Sequence, residues 1–410
     1  MTILELKEYE RSEAVGLSAD QIRDLRRVAP SVTVEPSHNG SGLYHLTPSS
    51  EIGVVHLGAQ VLWIRPKIPV ERVLFLIAYA IDPVRWTDQL SEFAAERSLV
   101  EALVPAFVAH VRRALRGGPL WGYLSEEAAL QTIRGRLSFE EQLRRRQGRF
   151  PPAEVRFDKF TEDIDENRLI KAALVRLGRM EIRSPVSRQA LRNFDAILSS
   201  VALIGYHPAR LPDVRYTRLN SHYRPAVELA KLILRSFSFE HEAGRAPAWA
   251  FLVDMNRVFE SFVVIALREA LGLDERSWPR GCAGHFLTLD KARTVVLSPD
   301  LSWWDGYECG FVGDAKYKHV EITGVNHPDL YQLLAYTVAT DLPAGLLIYA
   351  AGEGERAVHR TVHLGKTLEV IPLGLDGTPE AILQEVRRLA VRVQAIRQLR
   401  KAERGRPAVA

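Results

Sequence analysis

Apolar positions change their spacing twice along the chain. Through residues 1 to about 70 they fall in short extended pieces, SVTVEP, LYHLTP and EIGVVHLGAQVLWIRPKIP, separated by turn residues. Asn39-Gly40 and Gly42 between such pieces are hairpin signals, so this part predicts a small β domain. From Val70 the spacing becomes helical, with Val73, Leu74, Ile77 and Ala78 on one face. A helix-rich stretch follows from about Trp86 to Glu242, carried by SEFAAERSLVEALVPAFVAHVRRALRGG and NRLIKAALVRLGRM. Gly117, Gly118 and Pro119 end the first of these helices. From about Ala246 the pattern returns to α/β alternation. A helix over AWAFLVDMNRVFESFVVIALREAL precedes strands over RTVVLSPDLSWW and YECGFVGDAKYK, a helix around DLYQLLAYTVATDL and a strand AGLLIYAA. The last helix starts near Pro379. Its stripe of Leu383, Val386, Leu389, Val393, Ile396 and Leu399 docks it, leaving Arg387, Arg388, Arg392, Arg397, Arg400 and Lys401 on the other faces.

Composition narrows the class. At 47% hydrophobic and 25% charged, the 410 residues are those of a soluble globular chain, which excludes disordered and fibrous classes. With 54 Lys and Arg against 50 Asp and Glu the net charge is only +4, so any nucleic-acid contact needs a local basic surface. One candidate is QTIRGRLSFEEQLRRRQGRFPP, whose residues 134–149 hold six Arg against two Glu. It reads as a solvated helix face, or as a surface that tracks phosphates or docks a partner. Cys282 and Cys309 are too few for a disulfide framework or a Cys-rich zinc site. The N-terminus has acids from Glu5 onward and no signal-peptide core, and the longest apolar run, residues 73–81, is too short to span a bilayer. These features predict a cytoplasmic protein that makes no use of a membrane.

The residues that carry chemistry lie in the last third. Asp300, after Pro299, ends one predicted strand, and Asp314-Ala315-Lys316 ends the next. Two carboxylates ending adjacent strands can converge on one divalent cation, and Lys316 shares the strand face of Asp314. Phosphodiester hydrolysis needs this set: a hard cation activates water and stabilises the growing charge, and an ammonium orients or neutralises beside it. Ala315 offers a backbone carbonyl as a further ligand. Both acids end apolar runs, where a carboxylate has no packing role. Glu260 on the preceding helix, and Gln332 with Tyr336 on the following one, sit on otherwise apolar helices, where a polar group needs a partner. Each alone reads equally well as a surface Glu, an amide cap or a core phenol.

The Pro-Asp and Asp-x-Lys pair with an upstream helical Glu resembles the PD-(D/E)xK nuclease superfamily, and Gln332-Leu-Leu-Ala-Tyr336 resembles the Q-x-x-x-Y element of its RecB-like branches. Across nearly the whole chain, ELKEYE, VLWIRPKIP, IRGRLSFEEQ, FDKFTEDIDENRLIKAAL, LNSHYRPAVELAKLIL, FLVDMNRVFESFV, LSPD and GDAKYK are similar, in order, to McrC, the nuclease subunit of McrBC-type restriction systems dependent on 5-methylcytosine. The resemblance implies an α+β multidomain chain: a β-rich domain over 1–85, a helix-rich partner-docking region over 86–245 and a PD-(D/E)xK restriction-endonuclease-like domain over 246–410. It implies a DNA endonuclease using Mg2+, or Mn2+ in its place. On this resemblance Asp300, Asp314, Lys316, Gln332 and Tyr336 are expected to be catalytic, and Glu260, Asp300, Asp314 and the Ala315 carbonyl are expected to hold the metal. It implies as partners an McrB-like hexameric AAA+ GTPase, which binds the GTP, and double-stranded DNA containing modified cytosine. Gly365-Lys366-Thr367 is no P-loop, because Arg360 stands where the first glycine is required. Two other readings remain open: a non-catalytic activator of the motor, and a stand-alone RecB-like nuclease, which leaves the first 245 residues without a role.

Overall fold

The structure, a computed structural model, describes residues 2–38, 40, 42–84, 86, 99–180, 182–240, 248–317, 327–351 and 356–404. Asn39, residues 91–98, Glu242 and Ala246 lie outside these, as does the side chain of Lys401. Mixed α+β secondary structure with several sheets forms two compact units. One is residues 1–99 together with 238–410, and the other is residues 100–237.

The first unit contains two five-stranded sheets. One runs Thr2–Lys7, Gln60–Arg65, Glu51–Leu57, Ala248–Asp254, Phe237–Glu240. Its first pair is parallel, and the hairpin of Glu51–Leu57 with Gln60–Arg65 is antiparallel. The helix Ala19–Val28 opens on a capping box, Ser18 with Gln21, and lays Ile22, Leu25 and Val28 into a core with Leu46, Val55, Leu62 and Ala250. The second sheet runs Leu301–Asp305, Glu308–Lys316, Ala344–Ala351, Thr367–Gly374, Ala357–Arg360. Its middle strands are parallel and its outer pairings antiparallel. Helices Met255–Leu271, His327–Ala339 and Pro379–Arg404 pack on it.

The run read as one helix from Ala248 is a strand, Ala248–Asp254, followed by a helix, Met255–Leu271. Continuous apolarity cannot separate a buried strand from a buried helix. The free edge of Glu51–Leu57 decides it by pairing antiparallel with residues 248–254, and Asp254 then caps the helix by accepting from the Asn256 N–H at 3.0 Å. The β-rich N-terminal segment and the C-terminal α/β segment, expected as separate domains, therefore share one unit. The strand expected over residues 293–304 is two, Val296–Leu297 and Leu301–Asp305, broken at Ser298-Pro299-Asp300, where Pro299 has no N–H for a ladder.

The second unit is less purely helical than its sequence. Helices Leu99–Ala114, Asp165–Gly178, Pro185–Ile197 and Arg224–Ser236 accompany a three-stranded sheet of Gly122–Leu130, Ala153–Thr161 and Arg136–Leu137. The predicted basic helix is short, Phe139–Arg146. On the terminal helix Val386, Leu389, Val393 and Ile396 of the predicted apolar stripe are buried, while Leu383 is half-buried beside buried Ile382 and Leu399 is exposed. Three of its arginines are not an outer basic face: Arg392 pairs with Glu369, Arg397 with Asp305 and Arg400 with Glu308. The Gly365-Lys366-Thr367 run forms a turn and strand start, with Lys366 paired to Asp341 at 3.1 Å. Both cysteines are free thiols, Cys309 buried and Cys282 half-buried. Among the described residues no helix is long and apolar enough to cross a membrane.

Because Ala248–Asp254 is an inner strand of the N-terminal sheet, a chain ending at residue 245 exposes the edge of Glu51–Leu57 and loses Ala248, Ala250 and Leu252 from the shared core. Such a truncation is expected to lack the cooperative melting transition of the full chain, measured by circular dichroism. A transition of undiminished cooperativity would show the N-terminal sheet to be self-sufficient.

Candidate active site

Glu308–Lys316 is the second strand of its sheet, with Leu301–Asp305 on one side and Ala344–Ala351 on the other. Its two-residue alternation puts Val312, Asp314 and Lys316 on one face. Val312 packs with Leu333 and Tyr336 of the helix His327–Ala339, which places that helix over the same face. The glycine before Asp314 is required by closeness: a Cβ at Gly313 would lie 2.7 Å from the Leu346 carbonyl oxygen.

At the strand end the expected residues come together. Asp314 is fully buried, and its Oδ2 touches the Lys316 ammonium but otherwise lacks a hydrogen-bond partner. Asp300 lies beside it: its backbone N–H points at Asp314 Oδ1 at 3.5 Å, and its Oδ2 accepts from the Ala315 N–H at 3.0 Å. The Lys316 ammonium stands 3.9 Å from Asp300 Oδ2, so one cation faces two carboxylates. The break at Pro299 lets this happen, by turning Asp300 out of the ladder and toward the neighbouring strand.

The electrostatics follow from burial. Burial raises the Asp314 carboxyl to about 7, the Asp300 charge adds to the rise, and Lys316 opposes it. Asp300 is raised for the same leading reason. Glu260, largely buried on its helix, is raised by burial and then by the field of Asp314. Burial alone would lower the Lys316 ammonium, but Asp314, Asp300 and Asp329 together offset it and Lys316 ends above its ordinary value. Three acids thus crowd a single ammonium.

Glu260 reaches this centre through its field, and among the described residues no group of three or more His, Cys, Asp and Glu side chains stands assembled as a ligand set. The Asp300–Asp314 pair nevertheless suits a hard divalent cation: its oxygens are the right donors, and one is a buried orphan. Gln332 is on the exposed side of its helix and donates to the Tyr336 hydroxyl at 2.7 Å. Tyr336, almost fully buried, donates in turn to the Ser298 carbonyl at 3.2 Å, two residues before Asp300. The pair therefore braces the turn that presents Asp300. Asp329 was not singled out in the sequence. It is buried at the start of the same helix, accepts from the Tyr349 hydroxyl at 2.7 Å and adds to the field that holds Lys316 charged. Its signal was an acid in the first turn of a predicted helix, which reads equally as a dipole-favoured surface residue.

Fold and site define a multidomain α+β protein with a buried carboxylate–ammonium centre at strand ends. Residues 46–350 match the family described as McrBC 5-methylcytosine restriction system component, and the chain belongs to that family. Among solved structures it is similar to a chain in the refined half-complex from the tetradecameric assembly of Thermococcus gammatolerans McrB AAA+ hexamers with bound McrC. The TM-score is 0.53 at 17% identity, covering 94% of this chain and 99% of that one. A second match is the cryo-EM structure of the Thermococcus gammatolerans McrBC complex, with a TM-score of 0.39 at 18% identity over 66% of this chain and 88% of that one. At 17% identity the first likeness concerns the fold alone. No curated protein matches the chain.

Because the folded Asp314 carboxyl sits near 7 and an unfolded aspartate near about 3.9, the folded state holds the extra proton between those values. This contribution to stability is present below about pH 4 and is lost as pH rises toward about 7. Melting temperature without metal should therefore fall across that window, and Asp314→Asn should flatten the fall. A divalent cation held between Asp300 and Asp314 would relieve the same repulsion, so Mg2+ bound there should raise the melting temperature more at pH 8 than at pH 5.5, and not at all in Asp314→Asn. An equal Mg2+ effect in that variant would place the cation elsewhere.

Proposed function

We propose that this chain is an McrC-type endonuclease subunit, with a PD-(D/E)xK site at the end of Glu308–Lys316, that hydrolyses double-stranded DNA containing modified cytosine. The observation that carries the reading is the buried Asp300–Asp314 pair facing the Lys316 ammonium. A structural role does not account for two adjacent carboxylates kept where burial raises both. Family membership supports the system to which the subunit belongs.

Asp300 and Asp314 would hold Mg2+, or Mn2+, with Glu260 and the Ala315 carbonyl completing the set. When bound, the cation supplies Lewis acidity at the phosphate and lowers the pKa of water. Lys316 positions the attacking water or neutralises charge as the water oxygen adds to phosphorus and the bridging oxygen departs. Tyr336, through Ser298, fixes the turn that carries Asp300, and Gln332 fixes the Tyr336 hydroxyl. Asp329 keeps Lys316 cationic in a buried setting.

The partner in this reading is an McrB-like AAA+ GTPase hexamer, which binds the GTP. Support comes from the similar solved structure, whose McrC is bound to McrB hexamers. We assign partner docking to the second unit, in which Arg134–Arg149 is a candidate surface. That surface is less positive than its composition: Glu141 pairs with Arg144 and Arg145, and Glu154 with Arg146. An arginine patch already screened by its own acids suits a protein rim better than a phosphate track.

Asp314→Ala and Lys316→Ala should each lower cleavage of modified plasmid DNA by at least about a hundredfold with partner and GTP present, while partner binding stays intact. Undiminished cutting by either would remove the nuclease assignment. Changing Arg144, Arg145 and Arg146 to Gln should weaken stimulation of GTP hydrolysis in the absence of DNA. Unchanged stimulation with weaker, less salt-sensitive DNA binding would reassign the segment to DNA.

A further inference from the structure

Immediately beyond Lys316 the chain meets a cluster that the proposed chemistry does not use. Tyr317 is fully buried, and the strand alternation turns its side chain away from the face of Asp314 and Lys316. Its hydroxyl donates to Glu8 Oε1 at 2.8 Å, and its backbone carbonyl accepts from the Tyr9 hydroxyl at 3.0 Å. Glu8 Oε1 also accepts from the Lys67 N–H at 2.5 Å, and the Lys67 ammonium lies 4.2 Å from the Tyr317 ring centroid and 5.6 Å from that of Tyr9. On another side the Tyr317 ring is 6.0 Å from that of Phe259, the neighbour of Glu260. Two residues adjacent to proposed site residues thus meet beside a bracket from the turns that follow Thr2–Lys7 and Gln60–Arg65 of the N-terminal sheet.

The bracket is built at an energetic cost. Glu8 is only 3% exposed and its Oε2 has no hydrogen-bond partner. Tyr9 has a φ of +63°, a left-handed conformation that costs a bulky residue of order 1 kcal/mol or more. A fold that needed only packing here would place apolar side chains on ordinary backbone. The burial of an ionisable group of this kind is weak evidence for added stability.

We propose that Tyr317, clamped by Glu8, Tyr9 and Lys67, is a positioning residue that fixes the Lys316 ammonium against Asp314 and Asp300. The proposal rests on the nuclease reading above. It assigns the N-terminal sheet a part in the cleavage step itself, through ELKEYE and VLWIRPKIP acting on GDAKYK. Tyr317 touches no reacting atom. It sets where the strand end stops and how Phe259 brings the Glu260 helix to the same place.

The test uses the full chain with its GTPase partner, GTP, Mg2+ and modified plasmid DNA, and compares single-turnover cleavage at saturating DNA with DNA affinity and partner GTPase rate. Tyr317→Phe removes the link to Glu8 and keeps the ring, and Tyr9→Phe removes the links of the Tyr9 hydroxyl to the Tyr317 carbonyl and to Ser50. Each should slow cleavage about tenfold while DNA affinity and GTPase stimulation stay within about twofold, as expected for a small misplacement of a catalytic group. Glu8→Ala should match them, Glu8→Gln should recover most of the rate, and Tyr317→Phe combined with Glu8→Ala should be no slower than either alone. Should Tyr317→Phe melt early, Tyr9→Phe decides the matter. Full-rate cleavage by both, or a loss matched by DNA affinity or GTPase rate, overturns the proposal. Lys316→Ala, run alongside, separates the two ideas: its full activity removes the nuclease reading, whereas an inactive Lys316→Ala beside fully active Tyr317 and Tyr9 variants removes only the bracket.

Discussion

The burial of Asp314 is the constraint to which much of the surrounding architecture answers. A carboxylate with no exposed surface is tolerable only where a cation or a proton offsets its lost hydration. Lys316, on the same strand face, supplies the cation, and its own burial is tolerable because Asp314, Asp300 and Asp329 surround it. Each partner then needs support of its own. Asp300 requires a break in the strand at Pro299, the break is held by Tyr336 through the Ser298 carbonyl, and Tyr336 is held by Gln332. Gly313 lets the neighbouring strand approach close enough for the pair to be enclosed.

The same centre explains why the N-terminal sheet and the C-terminal α/β segment fold as one unit. Ala248–Asp254 belongs to one sheet, and the helix that follows it carries Glu260 toward the other. The junction is hydrogen-bonded in detail. Ser50 donates to Asp254 at 3.3 Å and accepts from the Asn256 side-chain amide at 2.6 Å, while the Met255 N–H reaches the Ser50 carbonyl at 3.0 Å. A helix started this rigidly has little freedom to carry Glu260 away from the carboxylate pair.

Much of this was legible because it depends on local chemistry. Helical spacing at Val70–Ile81 and Asp165–Gly178, alternation in the N-terminal hairpins and the Asp-x-Lys strand end are short-range signals, and each element stands where its pattern put it. The strand at Ala248 was hidden because a seven-residue apolar run takes its conformation from whichever edge is free, and that edge lies about two hundred residues earlier. The three-stranded sheet in the second unit was obscured for a related reason. Gly122–Leu130 alternates in exposure, but Glu126 stands on its half-buried face and Tyr123 and Ala129 on its exposed one, which blurs the period-two signal. On the terminal helix, composition could not show that Arg392, Arg397 and Arg400 answer acids on the sheet. Asp329 was missed because its partner, the Tyr349 hydroxyl, comes from a strand that sequence alone does not place beside it.

The segment FDKFTEDIDENRLIKAAL makes a different point about what a family-specific run of residues means. Its polar members serve as structural brackets in the second unit. Asp163 takes both nitrogens of the Arg168 fork at 2.8 Å and also accepts from the Ala202 N–H at 2.9 Å. Asn167, fully buried, donates to the Leu120 and Glu162 carbonyls at 2.8 and 2.7 Å. Lys171 gathers the carbonyls of Leu198 and Val201 at 2.9 and 2.6 Å. Glu166 receives the Asn220 amide of LNSHYRP at 3.0 Å, so two such runs meet in one contact. Specificity of sequence here reflects backbone groups that only these side chains satisfy at these positions. The carboxylates around Asp314 differ in kind, since two of them crowd one ammonium where burial raises both.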